Sequence, residues 1–273
     1  MKFLCMSVCL LTALGGAVAA QSPTAGVGAG PTNWSGPYVG LSLGYGSSNA
    51  DIETRGLNGL GAGPVIGPLF DNTVNAIRNG RRPARIGIDS RGFVGGVVGG
   101  YNFQPNPNGG LVFGVESDLM TTSLRASNLS IGAFNEPSRF AQDIDFLGTV
   151  RGRVGVAFDD VLVYATAGLA FARTSTSATF SGANAGPVAY AGQSNSLVAG
   201  AVYGGGVEFR LRRPSPLIPQ GGPSMGIGIS IYVIDLNDSP QLPVLDSFSG
   251  AGFASKPENN NILIGAVRTT FTF

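Results

Sequence analysis

The sequence predicts an all-β fold: a closed, antiparallel, up-and-down transmembrane barrel of eight strands. Three observations carry that prediction. Eight segments alternate apolar and polar or small residues with period two, the period of a strand whose successive side chains face opposite sides. Each segment is long enough to cross a bilayer as a tilted strand of about 9–11 residues. The connections alternate between short and long, as they do where turns gather at one rim of a membrane barrel and loops at the other.

Composition narrows the class. The chain has 273 residues, of which 12% are charged, with 43 Gly and no His; an ordinary domain is about a quarter charged. Residues 1–20, "MKFLCMSVCLLTALGGAVAA", read as a secretory signal: Lys2, an apolar run too short to span comfortably, and small residues at Ala17-Val18-Ala19-Ala20 for cleavage. Cys5 and Cys9 lie inside it, so the processed chain is expected to carry no thiol, disulfide or cysteine metal site. Loss of Lys2 takes the 17 basic residues to 16, equal to the 16 acidic ones, and that balance gives no support to nucleic-acid binding. Residues 21–36 follow as a Gly/Pro/Ala linker, and residues 37–273 as the barrel domain.

The first segment, "YVGLSLGYG", sets Val39, Leu41, Leu43 and Tyr45 against glycine and Ser42. "FVGGVVGGYNF" aligns Phe93, Val97, Tyr101 and Phe103. "LVFGVESDL" sets Phe113, Val115 and Leu119 opposite Glu116 and Asp118. "FLGTVRGRVGVAF" is the clearest, with Phe146, Val150, Val154, Val156 and Phe158 in its apolar set and Thr149, Arg151 and Arg153 in the other. "VLVYATAGLAF" puts Val161, Val163, Leu169 and Phe171 against Tyr164 and Thr166. "VYGGGVEFRL" aligns Tyr203, Val207, Phe209 and Leu211 against Glu208 and Arg210. "MGIGISIYVI" opposes four β-branched residues to glycines, Ser230 and Tyr232. "LIGAVRTTFTF" places Leu263, Val267, Phe271 and Phe273 on one face and Arg268 on the other.

"QPNPNGG", "DD" and the Pro-rich "RRPSPLIPQGGPS" are the short connections, expected in the periplasm. Residues 47–91, 121–143, 172–198 and 235–261 are the long ones, expected as outer loops. The last segment must pair with the first, because an open edge in lipid leaves backbone groups unsatisfied. Phe273 then joins Tyr101, Phe103 and Phe158 in an aromatic girdle at the periplasmic rim. A further hairpin within 47–91 would make ten strands.

Charge on the polar faces points to a filled interior. Glu116 and Arg153 each lie five residues in from the periplasmic end of neighbouring segments. Glu116, Asp118, Arg151 and Arg153 are therefore expected at similar depth inside the barrel, with Glu208, Arg210 and Arg268 joining from other strands. Eight strands leave an interior only just wide enough for side chains, so an ion-pair network there closes the lumen.

These segments, in this order, resemble a known family. "NWSGPYVGLSLGYG", "GFVGGVVGGYNFQ", "VFGVESDL", "LGTVRGRVGVAF", "LVYATAGLAF" and "GGGVEFRL" are similar to the strands of the small porin-like outer-membrane surface proteins of alphaproteobacteria. The resemblance covers almost all of the chain after the signal. It implies an eight-stranded barrel in the outer membrane of a Gram-negative bacterium, a surface-antigen and envelope-integrity role, and a porin annotation. It also implies barrel-assembly machinery as a partner, reading Phe271 and Phe273 as its signal. The Pro-rich turn at 212–224 and the large first loop depart from the family pattern.

Catalysis finds little footing. Without histidine, the Ser-His-Asp triad and histidine metal sites are excluded. Ser117, Ser123 and Ser127 have acidic neighbours but no general base of the usual kind. "GAGPVIG" at 61–67 follows no strand–helix pattern and is no phosphate cradle. The expectation is a non-catalytic monomer without cofactor or metal, whose partners are outer-membrane lipid and lipopolysaccharide. A solute channel is the first rival reading and a lipid-modifying enzyme the second. One loop has two readings: Arg78, Arg81, Arg82 and Arg85 in "RNGRRPAR" are solvated charge, the plainer case, or they bind lipopolysaccharide phosphates through guanidinium forks.

Overall fold

The computed structural model describes residues 32–57, 73–106, 109–211, 223–236, 240–246 and 252–273. The signal segment, most of the linker, residues 58–72 of the first long connection and residues 212–222 of the Pro-rich turn lie outside the described residues. The elements in order are β1 (Gly36–Gly56), α1 (Thr73–Arg78), β2 (Arg85–Phe103), β3 (Gly110–Gly132), β4 (Glu136–Phe158), β5 (Val161–Ser181), β6 (Val188–Arg210), β7 (Ser224–Leu236), β8 (Leu242–Asp246) and β9 (Gly252–Thr272).

All pairings are antiparallel between neighbours, and β1 also pairs with β9, from Tyr38↔Thr272 to Gly56↔Phe253. The order thus returns to its start as a ring of eight strands. The ninth strand is the short β8, which takes the place of β7 between β6 and β9 at the outer end, pairing Tyr190↔Asp246 and Leu242↔Ser255. The expected count of eight is corrected by that interrupted strand. The ring is uneven in two places: the β2–β3 ladder stops at Val94↔Thr122, and the β6–β7 ladder stops at Ala201↔Asp235.

The alternation read from the sequence becomes inside and outside. Leu43, Phe93 and Leu169 are 72%, 76% and 60% exposed, while Glu116, Asp118, Arg151 and Arg153 are buried. A belt of exposed Val, Leu, Ile and Phe around a polar interior inverts a water-soluble domain and matches a lipid-facing wall. Aromatic residues bound the belt. Tyr101, Phe103, Phe158 and Phe273 lie at one rim, and Tyr45 packs edge-on against Phe93 at the other, centroids 5.6 Å apart. No described helix is long and apolar enough to cross a membrane.

Two of the expected loops are strand. Residues 121–143 fall in the outer halves of β3 and β4, joined only by a turn at residues 133–135, and β5 and β6 fill most of 172–198. The outward faces there change mostly to Ser, Thr, Asp and Arg, with Leu129, Ile131, Val188 and Leu197 the apolar exceptions, so the membrane-type pattern ends while the ladder continues. Small irregularities mark the crossing: registers slip between Thr121 and Leu124 and between Ile144 and Phe146, extra residues that bend and twist a strand. In 47–91 the described residues hold the end of β1, α1 and the start of β2, and no further strand.

The outer half has its own apolar core. Ile52, Ile88, Phe140, Phe180, Val244 and Phe253 are buried together, and Phe180 packs edge-on against both Phe140 and Phe253. Burying each such side chain contributes about 1.5–3 kcal/mol, which supports strands that stand clear of the bilayer. A second apolar layer, including Met120, Leu124, Leu147, Val202, Ile234 and Ile264, lies below it.

Candidate functional site in the barrel lumen

Within the membrane half, the interior positions of β3, β4, β6 and β9 carry carboxylates and guanidiniums. Glu116 is the hub. Arg268 grips both of its carboxylate oxygens, one at 3.1 Å from Nη1 and the other through Nη2. Arg151 donates from Nη2 to Glu116 Oε1 at 2.6 Å and to Asp118 Oδ2 at 2.5 Å. The Tyr38 hydroxyl donates to Glu116 Oε2 at 2.6 Å. Arg153 stands 3.7 Å from Glu116 and donates to Glu208 Oε2 at 2.9 Å. Thr149 donates to Asp118 at 2.8 Å, and Thr270 donates to Glu208.

The register explains who meets whom. Glu116 pairs with Arg151, and Asp118 with Thr149. β3 starts opposite Ala157, so Arg153 faces Gly114, two residues nearer the periplasm than Arg151, and still lies within ion-pair range of Glu116. From there it reaches across to Glu208. Three acids, Glu116, Asp118 and Glu208, thus face three bases, Arg151, Arg153 and Arg268, all 4% exposed or less. Charges out of water require both partners and further hydrogen bonds.

Tyrosines complete the site. The guanidinium carbon of Arg153 lies 3.7 Å from the Tyr164 ring centroid, and that of Arg151 lies 4.1 Å from Tyr232. The Tyr164 hydroxyl accepts from Arg268 at 3.1 Å. Two glycines make room for these rings. A Cβ on Gly100 would stand 2.6 Å from the Tyr38 hydroxyl oxygen, and one on Gly206 would stand 2.6 Å from that of Tyr164. Tyr38, Thr149, Tyr164, Tyr232 and Thr270 are not among the sequence-predicted site residues. Thr149 and Thr270 carried a signal, each lying two residues from an arginine on the same polar face, whereas Tyr38, Tyr164 and Tyr232 stand on faces without charge.

Arg210, predicted for the network, lies elsewhere. It stacks over Trp34 at 4.3 Å, donates to the Asn33 carbonyl at 2.5 Å and reaches Thr272 Oγ1 at 3.1 Å. Its side chain helps hold residues 32–35 against the periplasmic end. Trp34 is fully buried there, with its backbone N–H on Gln104 Oε1 at 2.7 Å and its indole N–H on the Asp159 carbonyl at 3.2 Å.

The loop arginines do not form one solvated patch, so the reading of all four as solvated charge is corrected, and of the four offered to lipopolysaccharide Arg82 is turned inward. Arg82 is buried at the outer mouth, donating to Ser181 O at 2.6 Å and Ser138 Oγ at 3.2 Å and lying 5.2 Å over the Phe180 ring. Burial pushes its guanidinium below the ordinary arginine value, against the opposing pull of Glu136. Arg81 pairs with Glu136 at 2.6 Å and Arg85 with Glu258 at 3.5 Å. Arg78 alone of the four is exposed without a described ion pair. Phe273 is exposed at the periplasmic rim, and Phe271 partly so. Of the serines, Ser117 faces lipid beside Val150 in register, Ser123 bonds the backbone of Phe93, and Ser127 is exposed.

Over 144 residues the chain is 31% identical to the 31 kDa outer-membrane immunogenic protein of Brucella melitensis biotype 1, an alignment covering 52% of this chain and 51% of that protein. It is 40% identical over 79 residues to the 22 kDa outer membrane protein of Rhizobium leguminosarum bv. viciae, covering 29% and 32%. The chain spans about half the length of the first of these relatives and a third of the second. OprG from Pseudomonas aeruginosa aligns over 89% of this chain and 98% of its own, at 10% identity and a TM-score of 0.49. The profile of the outer membrane protein β-barrel domain matches residues 7–267, and the chain therefore belongs to that family, as an outer-membrane protein of a Gram-negative bacterium with relatives in the alphaproteobacteria.

Proposed function

We propose that this is a structural, surface-interacting barrel whose lumen is closed to solutes, with a role in envelope integrity and no catalytic activity. The observation that supports it is the balanced network from Glu116 to Arg268. It ties β1, β3, β4, β6 and β9 together across the interior, beneath an apolar layer and above the buried Trp34. An ion entering would meet charges already paired with one another, then a layer that offers it no ligands. A barrel with no free edge in lipid and an apolar outer wall also works as a monomer.

In this reading Phe271 and Phe273 are the feature that assembly machinery recognises on β9. The rival is a solute channel. Single-channel recording of the folded protein in planar bilayers separates the two: little or no steady conductance is expected, and a stable, large, ion-selective current overturns the closed-lumen reading.

A further inference from the structure

Just above the lipid belt, two arginines face outward with no described partner. On β2 the outward residues run Phe103, Tyr101, Val97, Phe93 and then Arg91. On β3 they run Phe113, Val115, Leu119, then Thr121, Ser123 and Arg125. The β2–β3 ladder stops at Val94↔Thr122, and side-chain contacts join the strands beyond it. The Ser123 hydroxyl accepts from the Phe93 N–H at 2.8 Å and donates to the Phe93 carbonyl at 3.3 Å, and Asn128 Nδ2 donates to Gly87 O at 2.8 Å. Arg91 and Arg125 lie between those two contacts along their strands.

Both are exposed, and neither has a hydrogen bond or ion pair among the described residues. Asp89, two residues along β2, and Asp143, opposite Arg125 on β4, are the neighbouring carboxylates, and neither closes an ion pair with them. Two exposed guanidiniums without a described ion pair, on one outer face, suit an anion from outside the chain. Its height names the source. Phe93 belongs to the outer aromatic girdle, so the next outward position meets the headgroup layer of the outer leaflet.

We propose that Arg91 and Arg125 bind a phosphate of the outer-leaflet glycolipid. Guanidinium forks match phosphate oxygens through charge-assisted bonds, and a phosphate held there bridges β2 and β3 where their own ladder has stopped. The site stands apart from the lumen, so its failure and that of the closed-lumen reading are separate results.

The test uses the full chain folded in phosphatidylcholine nanodiscs, with labelled bisphosphorylated lipid A as the probe. Heat-modifiability gels confirm folding of each variant. R91Q/R125Q is expected to weaken binding about tenfold or more, as loss of charge-assisted bonds does, while R78Q stays within about twofold because it keeps both site arginines. The wild-type preference for phosphorylated over dephosphorylated lipid A should fade in R91Q/R125Q and with added salt. Undiminished binding by the double variant overturns the site. So does full displacement of lipid A by millimolar inorganic phosphate, which marks a free-anion site.

Discussion

Glu116 shows how far one residue can organise a membrane interior. Its two oxygens take Arg268, Arg151 and Tyr38 within hydrogen-bond reach, and Arg153 lies at 3.7 Å. Removing one partner of a buried pair leaves the other uncompensated, at a cost of about 3–5 kcal/mol when the site is dry. Glu116→Ala is therefore expected to lower the thermal unfolding midpoint of the detergent-folded barrel, and Arg268→Ala to do likewise. Their double mutant should lose clearly less than the sum. The Glu116–Arg153 pair should couple more weakly, since Arg153 has its shorter contact with Glu208. Equal coupling in the two cycles would contradict the geometry. Gly206→Ala tests the same site from the wall side. A methyl there meets both the Ile229 carbonyl of β7 and the Tyr164 hydroxyl, so the strand and the ring must give way, and stability should fall although no charge is touched.

At the scale of elements, Arg82 is the side chain that joins the outer hairpins. It draws on Pro137, Ser138 and Ser181 from β4 and the end of β5, next to the Arg81–Glu136 pair. Arg82→Ala is expected to leave the membrane half folded but to expose the outer hairpins to protease on intact cells, while Arg78→Ala leaves the digestion pattern unchanged. Identical patterns for both would mean that Arg82 holds nothing. The membrane-crossing parts of these strands were legible in the sequence because lipid on one side and charge on the other force a strict alternation. Val39 to Tyr45 and Phe113 to Leu119 follow it residue by residue. The outer halves were not legible as strand. In "RTSTSATFS" the inward set, Thr174, Thr176, Ala178 and Phe180, is mixed in polarity, and water on the outer face accepts anything polar. The lumen charges could be found from the same alternation, but their partners could not, because a two-residue shift between β3 and β4 decides whether Glu116 meets Arg151 or Arg153. Arg82 was hidden for another reason: a buried guanidinium and a solvated one look alike in "RNGRRPAR".

The whole molecule is one ring with two interiors. In the membrane half the centre is ionic and the outside apolar; in the outer half the centre is apolar and the outside mostly polar. Each half meets its solvent with the right face, and one continuous set of strands carries both. Such an architecture should be rigid well beyond the bilayer, and hydrogen exchange measures that directly, because amides in a ladder with a packed core exchange only through costly opening. The β3–β4 ladder continues to Gly132↔Glu136 and the β5–β6 ladder to Ser181↔Val188. Amides in 136–143 and 174–181 are therefore expected to exchange nearly as slowly as those in the membrane half of the folded barrel. Three stretches should be faster. Between Arg85 and Arg91, β2 has a ladder partner on its β1 side but none on its β3 side, and β3 from Leu124 to Gly132 likewise pairs with β4 but not with β2. Between Gln193 and Ala199, β6 pairs with β5 while the β7 and β8 ladders stop short of it. Alternate amides along each of these three segments point to the side without a ladder and should lose protection first. Uniformly fast exchange through 136–143 and 174–181 would return those residues to the status of loops and remove the outer core from the account of stability.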